Sequence, residues 1–553
     1  MDIRATMETA PLRRILHRQG AGERAAGTRG VHAAAVGALT AVVAAAYSAF
    51  ALGLYNTFRT SSYDLVIFDE AMRSYAHFHP GISVIKGIHN GFGAQFSILG
   101  DHWSPILAAL APLYWIYGAP VTLLVAQAVL FALAIPPLWV FTRRAFGGEN
   151  GGKGGRRGRK AVVAAYLVSV AYALSWPVAS ALAFDFHEVA FVPVLTAVAL
   201  ERLSAGRLRT ALIALGALLL VKEDMGLFVA GIGVYLAVAR PRTVSRQLAV
   251  GLGLIVAGIA DTLIATYVLI PASGGRSSYY WAYTALGPHA PQAAWHLITD
   301  PASLKLLVTP EVKLQTMLWL FGAFCFLSLR SPMVLAAIPL LAERMLANLF
   351  PFWWVTSYQY NAYLVIILVL AAVDGSARLD RQLLARRHRE AESADPSASR
   401  GRWPAGPWSV GLACAAAMCA VAVALVPHFA FGPALHPKFY QRDAQARAAA
   451  AADAVVPAGV TVAAADNLGP QLSARDTVLL WDGDGDTPQL GAPWVVANVS
   501  QPQFTFTGVR EQRQRVALLE RDGYRVVFQS HGYVVLHRGG QSARTAGSKE
   551  SAG

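Results

Sequence analysis

Carboxylates recur in this chain where apolar sequence gives way to aromatic and polar residues, and their neighbours are the types that perform acid–base or phosphate chemistry. Asp64, Asp69 and Glu70 stand in Tyr63-Asp-Leu-Val-Ile-Phe-Asp-Glu, just after the almost wholly apolar stretch 33–55. Asp101-His102 follows in Gly100-Asp-His-Trp-Ser-Pro. Asp185, His187 and Glu188 fall in Phe184-Asp-Phe-His-Glu, and Lys222-Glu223-Asp224 breaks a long apolar run. Glu343-Arg344 interrupts another. An ionised carboxylate costs several kcal/mol in hydrocarbon, so these groups need water, the interface or a partner. A carboxylate fixed at such a boundary can remove a proton from a substrate hydroxyl. A cation beside it can bind a phosphate.

Each group also has a plainer reading. A solvated loop would explain Asp69-Glu70, but Leu65, Val66, Ile67, Phe68, Ala71 and Met72 make the segment too apolar for that. Asp69 is therefore the first candidate for a general base, with Glu70 and Asp64 beside it. Asp101 and Ser104 are good helix N-cap types, which accounts for one of them without function and leaves Asp101 and His102 as substrate-binding candidates. Asp185 and Glu188, three apart, would share a helix face. They and His187 are either a polar cap on a span end or binding groups. Asp69, Asp185, His187 and Glu188 together offer ligands to a divalent metal ion, though in no zinc-signature spacing. Lys222, Glu223 and Asp224 are either a self-satisfied ion cluster or a binding site, with Lys222 suited to phosphate. Arg344 suits a lipid phosphate, and Arg276 is a weaker candidate of the same kind. The aromatics that follow, including Trp353, Trp354, Tyr358 and Tyr360, fit ordinary interfacial anchors.

The elements that must hold these residues are membrane spans. The chain has 553 residues, of which 55% are hydrophobic and 14% charged, where a soluble protein carries about 25%. Mean hydropathy is +0.41. The net charge of +14 lies in basic clusters between apolar runs, which orients spans and argues against nucleic acid as a partner. Cys325, Cys414 and Cys419 all lie in apolar segments and outline no disulfide framework. The Arg-rich stretch 1–31 reads as a cytoplasmic tail before a retained first span. Alternating from there by the positive-inside rule yields about eleven crossings: 33–55, 121–142, 161–181, 189–201, 211–221, 225–239, 247–270, 314–329, 331–349, 359–374 and 407–427. Segment 104–118, short and proline-rich with aromatic ends, reads as interfacial or re-entrant. This topology puts the loop 56–120 outside and collects the acidic motifs, Lys222 and Arg344 at the external end of the bundle.

Fold class follows: a mostly α, polytopic helix bundle over 32–430, with a small external α/β domain at 436–540. In that domain a helix at 441–454 precedes five short strand-like runs, the last two forming a hairpin around Gln529-Ser-His531. Asp482-Gly-Asp-Gly-Asp is a fragment of a calcium loop without its closing Glu, and reads as a solvated turn. Gly147–Gly158 reads as a cytoplasmic linker without Walker spacing, and 541–553 as a disordered tail.

The motifs at 63–70, 100–107, 184–188 and 221–224, in this order, resemble a bacterial family of polytopic membrane proteins, domain of unknown function 2079, over roughly 35–540. The layout is also similar to that of GT-C glycosyltransferases: a first span, a long external acidic loop, interfacial helices, further spans and an external C-terminal domain. This resemblance implies a sugar donor linked to a polyprenyl phosphate, with a glycan, lipid or protein acceptor. It puts Asp69 at the first-loop acidic position as base or metal ligand, and His102-Trp-Ser-Pro where those enzymes carry a basic residue before prolines. Lys222 and Arg344 would meet the lipid phosphate. A transporter or flippase built on the broken stretch 211–239, and an envelope-assembly scaffold, are the alternatives.

Overall fold

The structure, a computed structural model, describes residues 10–147, 156–239, 245–393, 409–483 and 491–539. The expected linker around 147–158 lies largely outside the described residues, and the turn beyond Gly483, residues 394–402 of the basic stretch 378–402 and the terminal tail 541–553 lie wholly outside them.

The protein is a helical membrane protein with one small sheet near its C-terminus. Among the described residues, six helices are long and apolar enough to cross a bilayer: Gly30–Asn56, Pro120–Gly147, Gly158–Ala183, Arg246–Ala272, Gln359–Arg386 and Val410–His428. The other five expected crossings fall on shorter helices, Phe191–Ser204, Leu208–Leu218, Met225–Val238, Val312–Gly322 and Ile338–Leu346. At 1.5 Å per residue, none of these reaches the ~30 Å of a bilayer core. Their shortness has visible causes. The charged triplet 222–224 separates two of them. Pro332 and Pro339 open separate helical turns, because a proline lacks the N–H a continuing helix would need.

Helix Gln359–Arg386 runs through the centre, 83% of its apolar window buried, whereas Arg246–Ala272 is only 22% buried and presents most of its surface to lipid. That outer span nonetheless meets Met225–Val238 backbone to backbone. A side-chain carbon added at Gly226 would lie 2.2 Å from the carbonyl oxygen of Gly258, and one at Gly233 would lie 2.5 Å from that of Gly251. Only glycine permits such contact between spans.

Between α1 (Ala10–Asn56) and the next long span, the chain forms α2 (Ser62–Ala76), the short α3 (Val84–His89) and a short apolar helical segment, Pro105–Tyr114. Trp115, Ile116 and Tyr117 stay exposed after it, in keeping with an interfacial position.

The C-terminal unit is a five-stranded sheet in the order β2-β1-β3-β5-β4. Strands β1 (Thr461–Ala464), β2 (Thr477–Leu480) and β3 (Trp494–Asn498) run parallel, while β5 (Tyr533–His537) pairs antiparallel with β3 and with β4 (Arg525–Ser530). Helices Ala444–Val455 and Val509–Arg521 accompany the strands. This unit is clamped to the start of α2. Asp466, just after β1, accepts from the backbone N–H of Ser62 at 3.0 Å and of Tyr63 at 3.2 Å, and from Ser61 Oγ at 3.1 Å. A carboxylate there satisfies helix N-terminal donors that have no intrahelical partner. His89 adds a second tie: its Nε2 accepts from the Leu480 N–H at 2.8 Å and its Nδ1 lies 3.1 Å from Asp482.

Candidate functional site

A cavity of about 520 Å³ lies where α2, the 101–104 turn, the 184–188 turn, the 222–224 break and the aromatic stretch 352–363 meet. Asp64, Ile67 and Phe68 of α2 line it, as residues three and four apart on one helix face must. Asp69 comes five residues after Asp64, about 140° further around the helix, and faces the protein instead. It is ion-paired with Arg73 and accepts from Tyr114 Oη at 2.8 Å. Burial raises its pKa, against the pull of Arg73 and Tyr114. Glu70 also turns away. It accepts from Ser83 Oγ at 2.9 Å and from the Ile85 N–H at 3.1 Å, so it anchors the start of α3. Burial pushes its carboxyl up to about 7.

The other motifs converge on the cavity. Asp64 Oδ1 lies 3.6 Å from His187 Nε2. The His187 backbone N–H donates to Gln127 at 3.0 Å, while neither ring nitrogen makes a hydrogen bond among the described residues. Lys222 Nζ pairs with Glu188 at 3.2 Å. Glu223 accepts from His102 Nδ1 at 2.7 Å and from the Trp103 N–H at 3.1 Å. Asp224 and Glu343 complete the acidic side. Asp185 does not line the cavity. Its Oδ2 accepts from the Ser61 N–H at 2.8 Å, and its backbone sits at φ 51°, the left-handed region. It ties the 184–188 turn to the start of α2.

The four possible metal ligands have separate partners: Asp69 pairs with Arg73, Asp185 with the Ser61 N–H and Glu188 with Lys222, while His187 lies 3.6 Å from Asp64; among the described residues no three His, Cys, Asp or Glu side chains group around one point.

Four lysine and arginine cations border the cavity, Lys86, Lys222, Arg276 and Arg344, with different degrees of freedom. Lys222 is already paired. Arg276 is exposed at the rim, its guanidinium 5.5 Å over the Phe92 ring. Arg344 is 2% exposed; its Nε and Nη2 donate to the Trp353 carbonyl at 2.8 and 2.6 Å, and Nη2 reaches Asn361 at 3.1 Å. Its Nη1 is buried with no partner among the described residues. A buried guanidinium nitrogen left unsatisfied calls for an acceptor that the protein itself does not supply.

Several lining residues are not evident from the sequence. Lys86 is 3% exposed, 3.0 Å from Asp101, and ringed by Tyr63, Tyr279 and Tyr280. Burial would lower its pKa, but Asp101 outweighs this and the net shift is upward. Asp101 likewise ends below the usual carboxylate range: burial raises it, and Lys86 more than compensates. The pair is structural in the first instance. Asp101→Ala is expected to destabilise the protein by about 3–5 kcal/mol, because it strands a buried ammonium. Chemical denaturation would show this, and a change under about 1 kcal/mol would contradict it. Asp466 and Phe504 reach the cavity from the C-terminal unit. The only sequence signal for Asp466 is a carboxylate ending a strand, which is too common to single out.

His102 stacks on Tyr280 with ring centroids 4.6 Å apart. Burial would depress its imidazole, but Glu223 prevails and the net shift is upward. A histidine raised in the folded state contributes stability that is complete below its unfolded value, about 6.5, and fades as pH climbs through the folded value. Thermal stability is expected to fall as pH rises from about 6.5, and His102→Gln is expected to flatten that slope. An unchanged slope would count against the pair.

A family of predicted membrane proteins, DUF2079, matches residues 54–535. The chain belongs to this family. Every cavity residue named above lies inside the matched span, so in this DUF2079 protein the match takes in the site and all but the last two residues of the C-terminal sheet. Among solved structures, the chain is similar to ArnT from Cupriavidus metallidurans bound to undecaprenyl phosphate, at 15% identity and a TM-score of 0.48, with 92% of this chain and 100% of that one covered. No curated protein matches the chain.

Proposed function

We propose that this protein is a GT-C-type glycosyltransferase that moves a sugar from a polyprenyl-phosphate donor to an acceptor on the extracytoplasmic side. The observation that carries the reading is the make-up of one cavity. Asp64 lines it together with Lys222, Arg276 and the incompletely satisfied Arg344, and the wall includes Thr266, Tyr267 and Ile270 of the lipid-facing span Arg246–Ala272. A soluble substrate has no use for a wall facing lipid, whereas a lipid-borne phosphate does.

In the proposed reaction Asp64 takes the proton of an acceptor hydroxyl as that oxygen attacks the anomeric carbon of the donor. The new bond is acceptor oxygen to anomeric carbon; the bond that breaks joins that carbon to the phosphate oxygen. The electron pair leaves with the polyprenyl phosphate, whose charge Arg344, Lys222 and Arg276 neutralise. His187, 3.6 Å from Asp64, orients the carboxylate and shares its proton. Glu223, Asp224 and Glu343 would bind sugar or acceptor hydroxyls, with aromatic faces such as Tyr358 and Tyr360 closing the cavity. Asp69 and Glu70 hold α2 and α3 in place, so the base is assigned to Asp64. The cavity would lie at the external membrane face, with the N-terminus cytoplasmic and the C-terminal unit outside.

The test is transfer by the reconstituted full-length protein supplied with a panel of radiolabelled polyprenyl-phosphate sugars and envelope extract. Label appearing in an extract component together with free polyprenyl phosphate is expected. Movement of intact lipid-linked sugar between leaflets with no release of polyprenyl phosphate would refute the transferase.

A further inference from the structure

A second cavity, about 480 Å³, lies at the opposite end of the bundle. The two cavities share helices but not residues. Arg246 and Val250 line this one where Thr266 and Ile270 of the same span line the first, and Asp374 and Arg381 line it where Gln359 and Tyr363 line the first. At the nearest approach sixteen residues of helix separate Val250 from Thr266 and eleven separate Tyr363 from Asp374, or ~24 and ~17 Å.

Its lining is amphipathic. Phe141, Leu200, Leu236, Val250 and Met333 form apolar walls, and Arg144, Arg246 and Arg381 line it beside them. Arg144 is engaged, 2.8 Å from Glu201 Oε1 and 2.6 Å from Ser204 Oγ. Asp374 is likewise taken, by Arg378 and Ser331, each at 2.6 Å. Arg246 and Arg381 have no ion-pair partner among the described residues, and both are exposed. Two uncommitted guanidinium groups lining an apolar pocket, beside a span that presents most of its surface to lipid, fit an amphiphile with an anionic head.

We infer that this basic cavity binds the phosphate headgroup of an anionic phospholipid such as phosphatidylglycerol, with Arg246 and Arg381 on the phosphate and an acyl chain against Val250 and Leu236. Its occupant would be a resident bilayer lipid, separate from the transferase substrate. The arginines supply the charge and the apolar walls supply the preference for a lipid over free phosphate.

Native mass spectrometry of the full-length protein, released from mixed phosphatidylglycerol and phosphatidylcholine vesicles, tests this. Phosphatidylglycerol is expected to be retained selectively. The double variant Arg246→Ala/Arg381→Ala is expected to lose about thirtyfold in affinity, from two membrane-surface arginines. Arg521→Ala, exposed in the C-terminal unit, should bind as the parent does. Undiminished retention by the double variant would overturn the assignment. Displacement of the lipid by millimolar inorganic phosphate would overturn the lipid as occupant. As a check independent of variant folding, a photoactivatable phosphatidylglycerol should label the parent protein within 245–264 or 362–386; labelling confined to other segments would equally overturn it.

Discussion

Asp64→Asn is expected to lower turnover by about 10²–10⁴-fold, the usual contribution of a positioned general base, while leaving membrane insertion and thermal stability close to those of the parent. Among the described residues Asp64 makes no side-chain hydrogen bond that holds α2 together, and its ion-pair partner is His187 at 3.6 Å. Asn is isosteric and cannot accept the proton. The contrast with Asp69→Asn is the sharper part of the expectation. Asp69 is fully buried between Arg73 and Tyr114, so its neutral substitute leaves Arg73 poorly paired. Since Arg73 is about a third exposed, water compensates part of the loss, and the cost is about 1–3 kcal/mol. The folded Asp69→Asn protein should still turn over. Measuring kcat and the denaturation midpoint for both variants separates the roles. A catalytically dead, fully stable Asp69→Asn beside an active Asp64→Asn would reverse the assignment.

Arg344→Gln is expected to lower kcat by about 10²–10³-fold, the loss that follows removal of one donor aimed at developing charge. Arg344 is held by the Trp353 carbonyl and Asn361, so its position is set before any ligand arrives. Groups already oriented in a low-dielectric site act on the departing phosphate without reorganising. Because charge on that oxygen grows as the bond breaks, kcat should fall more than affinity for the donor. Arg344→Lys should recover only part of the activity, since an ammonium cannot keep both the carbonyl contact and the free nitrogen. A rise in KM with unchanged kcat would mean that Arg344 merely binds the donor. Full activity in Arg344→Lys would make it a simple point charge.

The sequence was informative where a single physical rule dominated. The long spans follow from apolar length, and the β4–β5 hairpin from β-branched runs around Gln529-Ser-His531. At 314–329 and 331–349 the helices are shorter than the apolar length suggests, and in the second of these Pro332 and Pro339 each open a separate turn. The convergence of the motifs at 64, 101–102, 187–188, 222–224 and 344 on one cavity was legible from charge placement alone. The order of importance within α2 was not. Asp69-Glu70 drew attention through its apolar neighbours, yet those neighbours are what enclose it. A helical wheel places Asp64 with Ile67 and Phe68, and Asp69 nearly opposite; what no wheel supplies is which face meets the cavity. Lys86 and Asp466 lay beyond sequence reading for another reason. Their partners, Asp101 for the one and the first residues of α2 for the other, are joined to them only by tertiary structure.

The most direct measurement is a cryo-electron microscopy structure of the full-length protein in lipid nanodiscs with undecaprenyl phosphate. Phosphate density within hydrogen-bonding distance of Arg344 and Lys222, with the isoprenoid tail leaving past Tyr267 and Ile270, is the predicted result. Saturating lipid with that cavity empty, or a phosphate bound on the far side of α2 beside Asp69, would contradict the account.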